Sequence, residues 1–398
     1  MIDYNKLLNK VSREIKPSGI RKYFDIAATL DDVISLGIGE PDFYTPWPIR
    51  QAAIKALERG KTFYTSNSGL IKLREVISEY TFKRTGVKYD PASEIIVTVG
   101  GSEAIDLTVR ALVEEGDEVI IPEPSFVCYK PIVALAGGTP VTINTSSDNS
   151  FKLTAEALKN AITDKTKLLI LPYPNNPTGA IMTKEDLEPI ANILKGTNIA
   201  VLTDEIYSEL TYGREHFPII SLDGMKERTV YVNGYSKAFS MTGWRLGYMC
   251  APNEIIKNAL KIHQYGIMSS PTVSQYAAIE AMTSCDDDVK MMVSEYDTRR
   301  RYLVSAFNEL GLDCFTPEGA FYVFPCIKST GMTSDEFCEK LLFHKRVAVI
   351  PGTAFGECGE GYVRVSYAYS INHLVEAIKR IREFLAELSD SGEEKNPQ

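Results

Sequence analysis

The sequence predicts an α/β fold. Its larger part is a mostly parallel sheet covered by helices on both faces. Its smaller part is an α+β domain built from an N-terminal arm and the C-terminal third. Three observations lead there. Apolar runs with strand character alternate with helical stretches from about residue 48 to 285, which indicates a doubly covered parallel sheet. The alternation then gives way to a long charged helical stretch followed by three short strands. Finally, 398 residues with 44% hydrophobic content suffice for two or three domains with a substantial core.

The elements follow in order. Residues 1–45 read as an arm: a short helix, then IRKYFDIAATL, then ISLGIGEPDFYTP, whose glycines and prolines end any helix. Residues 46–290 form the large domain. Its strand runs are EIIVTVG (94–100), DEVIIPEP (117–124), TKLLILPYP (166–174), NIAVLTDEIY (198–207), RTVYVNGYS (228–236) and WRLGYMCAP (244–252). Residues 291–398 form the small domain, with strands AFYVFP, RVAVIPG and YVRVSYA and the closing helix NHLVEAIKRIREFLAEL. The polar tail SDSGEEKNPQ is expected to fray.

The bulk chemistry excludes several classes. A net charge of -9 argues against non-specific nucleic-acid binding, although a local pocket can still attract anions. No apolar run approaches the roughly 20 residues that span a membrane. The N-terminus lacks the apolar core of a signal peptide. Seven scattered cysteines without a Cys-x-x-Cys pair read as free thiols in a reducing cytoplasm. Four dispersed histidines offer no metal-ligand pattern, so no metal is expected.

In open α/β sheets, ligands bind beyond the carboxyl ends of the strands. Five strand ends carry candidate chemistry. After EIIVTV, Gly100-Gly101-Ser102 opens a helix, which can cradle a phosphate, though many strand-to-helix turns are glycine-rich. After VIIPEP, Phe126 and Tyr129 are either core aromatics or a ring for a flat cofactor. After LLILPY, the Asn-Asn-Pro-Thr-Gly turn could present the Asn176 amide to a ligand oxygen. After NIAVLT, Asp204 is either a surface carboxylate or a buried one that needs a partner. After RTVYVNGY, Ser236-Lys237 offers a lysine whose amine partial burial would make nucleophilic.

One cofactor demands all five. Pyridoxal 5'-phosphate needs a Schiff-base lysine, a carboxylate at its pyridine nitrogen, donors to its ring oxygen, an aromatic face and a phosphate cup. GIGEPDFYTP, YTSNSGLIKLREVI, PNNPTGA, TDEIYSEL, NGYSKAFSMTGWRLGY, PEGAFYVFP and GYVRVSYA occur in that order. With them the chain resembles the fold-type I pyridoxal-phosphate aminotransferases of the aspartate and aromatic aminotransferase family, from about residue 15 to 385.

The resemblance implies roles. Lys237 matches the Schiff-base lysine and proton shuttle, Asp204 the pyridinium partner, and Tyr207 and Asn176 the donors to the ring oxygen. Phe126 takes the stacking position, where relatives often carry Trp or Tyr. Gly101, Ser102, Ser236 and Arg245 match the phosphate cup, and Tyr64 matches a tyrosine that reaches the phosphate from the partner subunit of a homodimer. Arg364 and the backbone of Gly39 match the grip on the substrate's α-carboxylate. The sequence sets no role for Trp244, with packing the default.

The implied activity is ping-pong transamination between an L-amino acid and 2-oxoglutarate, with aromatic donors favoured. Aspartate and N-acetyl-diaminopimelate remain open, as does a C–S β-lyase of the same fold. A non-enzymic module of a transcription regulator would be preceded by a DNA-binding segment, and here the resemblance begins near residue 15.

Overall fold

The structure, a computed structural model, describes residues 2–393. Its main sheet has seven strands: β1 (Ile95–Thr98), β2 (Glu118–Glu123), β3 (Thr139–Asn144), β4 (Thr166–Leu171), β5 (Ala200–Asp204), β6 (Thr229–Gly234) and β7 (Gly247–Cys250). The spatial order is β1-β7-β6-β5-β4-β2-β3. The pairs from β6 through β5, β4 and β2 to β3 are parallel, while β7 runs antiparallel to both of its neighbours.

Six of these strands lie in the runs expected from sequence. The seventh, β3, was not singled out. It is an edge strand whose residues are mostly half-exposed or exposed, so it lacks the apolar run of its neighbours.

Alternate residues of the central strands feed two cores. Val97, Ile120, Leu169, Val201 and Tyr231 pack on one face, and Ile96, Ile121, Leu168, Leu202 and Val230 on the other. Helices cover both faces, which explains why the strands read as near-continuous apolar runs.

The rest of the chain frames this sheet. The helix Asp286–Glu309 opens with Asp286, Asp287 and Asp288 in its first turn, where acidic side chains favour the helix dipole. Tyr322–Val323 pairs antiparallel with Val365–Ser366, and Ile350–Pro351 pairs with Val363–Arg364. The arm joins this part of the molecule: Ile34–Ser35 pairs parallel with Val347–Ala348, and the Ser366 N–H donates to the Leu36 carbonyl at 2.8 Å. Gly37 and Gly39 are thereby delivered beside the strand that carries Arg364. The closing helix, Ile371–Glu393, continues into the stretch expected to fray, while residues 394–398 lie outside the described residues.

Candidate active site

The carboxyl ends of β1, β4, β5 and β6 open into one cavity of about 390 Å³. Eleven of the twelve residues singled out from sequence line it: Gly39, Gly101, Ser102, Phe126, Asn176, Asp204, Tyr207, Ser236, Lys237, Arg245 and Arg364. The twelfth, Tyr64, is 81% exposed on the surface of its own chain and does not line it.

An anion cradle forms where β1 ends. Gly100 has φ +79°, a conformation that lets the chain turn sharply into the helix Gly101–Leu112. No side chain caps that helix, so its first amides point at the cavity without an internal acceptor. Arg245 lies directly against the turn, since a Cβ on Gly100 would meet its Nη2 at 2.8 Å. Gly247, the second glycine of GWRLG, explains itself here. A Cβ there would come within 2.6 Å of the Gly100 carbonyl carbon, so only glycine lets β7 pass this close.

Asp204 ends β5, 6% exposed. Its Oδ2 accepts the Tyr129 hydroxyl at 2.7 Å, and Oδ1 accepts the Ile206 amide at 3.3 Å. Burial pushes the carboxyl up to about 6, against the pull of these two donors. The bland reading of a surface carboxylate is therefore excluded. Tyr129, taken from sequence as core or cofactor face, is neither alone: it orients Asp204. Phe126 lies edge-on to it, with ring centroids 6.0 Å apart.

Lys237 follows β6. Its Nζ donates to the Gly39 carbonyl at 2.6 Å. Burial lowers its pKa to about 8; Glu40 opposes the shift, and Arg364 and Arg245 add to it. An amine so poised loses its proton near physiological pH and becomes a competent base or nucleophile.

Arg364 is 2% exposed. Its Nη1 donates to Asn176 Oδ1 at 2.8 Å and its Nη2 to the Gly37 carbonyl. The guanidinium lies over the rings of Tyr322 and Phe355, at 4.5 and 4.8 Å. Its Nε has no hydrogen-bond partner, and among the described residues no carboxylate pairs with it. A buried cation held only by neutral acceptors is a site prepared for an incoming anion.

Sequence reasoning missed Tyr322. Its hydroxyl hydrogen-bonds that of Tyr207 at 2.9 Å, its ring supports Arg364, and it fills the space where a Cβ on Gly39 would sit. The motif PEGAFYVFP contains it, but spacing alone cannot say which of its aromatics faces the cavity.

These features define an α/β enzyme of the aspartate-aminotransferase-like class. The profile of the family Aminotransferase class I and II matches residues 31–381, and the chain belongs to that family. It is 48% identical to an aspartate aminotransferase from Pyrococcus abyssi, over 94% of this chain and 97% of that one. It is 44% identical to aromatic-amino-acid aminotransferase 2 of Thermococcus litoralis, over 94% and 97%. The crystal structure of an aromatic aminotransferase from Pyrococcus horikoshii superposes with TM-score 0.88 at 46% identity, covering 92% of this chain and 99% of that one. The protein is an aminotransferase.

Proposed function

We propose that this aminotransferase uses pyridoxal 5'-phosphate to move an amino group from an L-amino acid, aromatic donors favoured, to a 2-oxo acid such as 2-oxoglutarate. The observation that carries this is the convergence of a low-pKa lysine, a buried carboxylate and an anion cradle in one cavity. The residues fit the group. Gly101, Ser102, Ser236 and Arg245 would hold its phosphate, Phe126 its ring face, Asp204 its pyridine nitrogen, and Tyr207 with the Asn176 amide its ring oxygen. Bound there, pyridoxal phosphate supplies an electron sink for the substrate's Cα.

The chain's own residues do the rest. Arg364 forks onto the α-carboxylate, assisted by the Gly39 backbone, and fixes which bond at Cα stands over the site. Lys237 Nζ, deprotonated near pH 8, takes the Cα proton. Tyr322 steadies both Arg364 and Tyr207. Ile20, Ile38 and Ile105 line the same cavity and favour an apolar donor side chain. Its three cations, Lys237, Arg245 and Arg364, each already have a task, and no fourth lies among the described lining residues for a distal carboxylate.

A homodimer with composite sites completes this reading. Exposed Phe63 and Tyr64 adjoin exposed Tyr265, Ile267 and Met268. The two segments are tied by Asn67 Nδ2 to the Met268 carbonyl and Thr272 Oγ1 to the Phe63 carbonyl, both 2.7 Å. An apolar patch of this kind suits a subunit interface, and would carry Tyr64 into the partner's phosphate cup. Seven free cysteines support a reducing, cytoplasmic setting. Residues 46–290 are taken as the cofactor-binding domain, with 1–45 and 291–398 forming the smaller one.

Adding an L-amino acid alone to the loaded protein should change the cofactor's absorption stoichiometrically and release one equivalent of 2-oxo acid. Release of pyruvate and ammonia from cystathionine without any acceptor would instead establish the β-lyase. A donor panel compared by kcat/KM should rank phenylalanine and tyrosine above aspartate and acylated diamino acids; the reverse order refutes the aromatic preference.

A further inference from the structure

The segment Gly39–Thr45 lies against the turn Ser240–Arg245, and side chains bridge the two at both ends. At one end Thr242 Oγ1 donates to Glu40 Oε1. At the other, Thr45 Oγ1 donates to the Ser240 carbonyl at 2.5 Å and accepts the indole N–H of Trp244 at 3.0 Å. Thr45 thus uses donor and acceptor at once, and Trp244, left to packing by default in the sequence, has a polar task. The turn is held from behind, because Ser274 Oγ donates to the Trp244 carbonyl at 2.9 Å. Two residues in this turn, Ser240 and Arg245, hold positive φ of 51° and 52°, so its shape is not one that the chain adopts freely.

The strap and the turn carry opposite halves of the site. The strap presents the Gly39 carbonyl that receives the Lys237 Nζ hydrogen bond, and the turn delivers Arg245 to the anion cradle. We infer that Thr45 and Trp244 are positioning residues: their hydrogen bond latches the strap to the turn, so that the backbone at Gly39 stays in place for an incoming carboxylate. A side-chain hydrogen bond between two polar groups is worth little in open water. Here both groups are half-buried, and they act beside the strap's other ties: Glu40 on Thr242, Asp42 on Arg299 at 2.8 and 2.9 Å, and Phe43 edge-on to Tyr296. Loosening the latch lowers the fraction of molecules with the strap seated, and apparent substrate affinity falls by that fraction.

This rests on the proposed transaminase site for its kinetic consequence, but its direct test does not. Amide hydrogen exchange over residues 38–45 should quicken about five- to tenfold in Trp244→Phe, which loses the indole bond alone, and at least as much in Thr45→Val, which also loses the bond to the Ser240 carbonyl; the double variant should go no further than Thr45→Val. Thr45→Ser should restore the wild-type rate. In turnover with an amino donor, KM should rise by a similar factor while kcat changes less than about twofold. The pyridoxal phosphate concentration for half-saturation should stay as in the wild type. Unchanged strap exchange in both single variants overturns the latch. So does a Trp244→Phe variant that weakens cofactor binding alone, which would make the indole a support for Arg245 only. Should the wild type fail to transaminate, the functional reading falls while the exchange data still decide the latch.

Discussion

The two walls of the cavity, one proposed for the cofactor and the other for the substrate, are built differently. The cofactor wall comes from loops that each follow directly on a strand of one sheet: Gly101 after β1, Asp204 ending β5, Lys237 after β6. Its buried carboxylate, Asp204, accepts from the Tyr129 hydroxyl and the Ile206 amide. The substrate wall is assembled from the arm at Gly37–Glu40, the turn at Asn176, and Tyr322 with Arg364 more than a hundred residues later. Its buried cation, Arg364, likewise meets neutral groups, but its Nε is left without a hydrogen-bond partner. The carboxylate's hydrogen bonds are met within the chain, whereas the guanidinium keeps a free donor, which we propose a substrate carboxylate takes. On the proposed function, the sheet would position the cofactor, whereas donor choice would fall to the wall that tertiary contacts assemble.

Removing the centre of the cofactor wall should cost most. Lys237→Ala is expected to lower turnover by at least about 10⁴-fold, with pyridoxal phosphate still bound but no longer covalently attached. Near-normal turnover in that variant would mean the proton is moved by another group. On the substrate wall, Arg364→Ala should reduce kcat/KM by on the order of 10²–10³-fold for every carboxylate donor alike. A loss confined to one donor would show that the arginine reads the side chain and that the two walls are less distinct than drawn.

A third measurement probes what burying Asp204 costs. With its carboxyl raised to about 6, Asp204 is disfavoured in its charged form within the fold. The cofactor-free chain therefore loses stability as pH rises from the usual carboxylate range through 6. Asp204→Asn should stabilise that chain at pH 7 by about 1–3 kcal/mol, and the advantage should vanish by about pH 3, where the carboxyl is protonated in both states. Urea midpoints at the two pH values check this; an Asn variant less stable at pH 7 would mean that the Tyr129 and Ile206 donors outweigh the burial. The smallest effect belongs to Tyr129→Phe. Losing one hydrogen bond to a buried carboxylate should cost about tenfold in kcat and raise the acid limb of the pH profile. An unshifted limb would leave Tyr129 as packing only.

The cofactor wall was the more legible in sequence for a physical reason. Glycine pairs, an acidic residue ending an apolar strand and a lysine after another are short-range patterns, and the sheet's topology forces each to one edge. Edge strand β3 escaped because it is buried on too little of its length to leave a run. The polar roles of Tyr322, Tyr129 and Trp244 escaped because an aromatic's polar tip is silent in a pattern of apolar residues. Whether it meets Tyr207, Asp204 or Thr45 depends on chain segments up to about two hundred residues away.

By itself, then, the sequence determined the doubly covered sheet, the order of its functional strand ends and the family, since these follow from local periodicity and motif. Only the tertiary structure decided that Asp204 is buried and partnered, that Arg364 has no carboxylate partner among the described residues, and that Thr45 and Trp244 join the strap to the turn. Burial and pairing are properties of what the rest of the chain brings close, and no run of neighbouring residues encodes them.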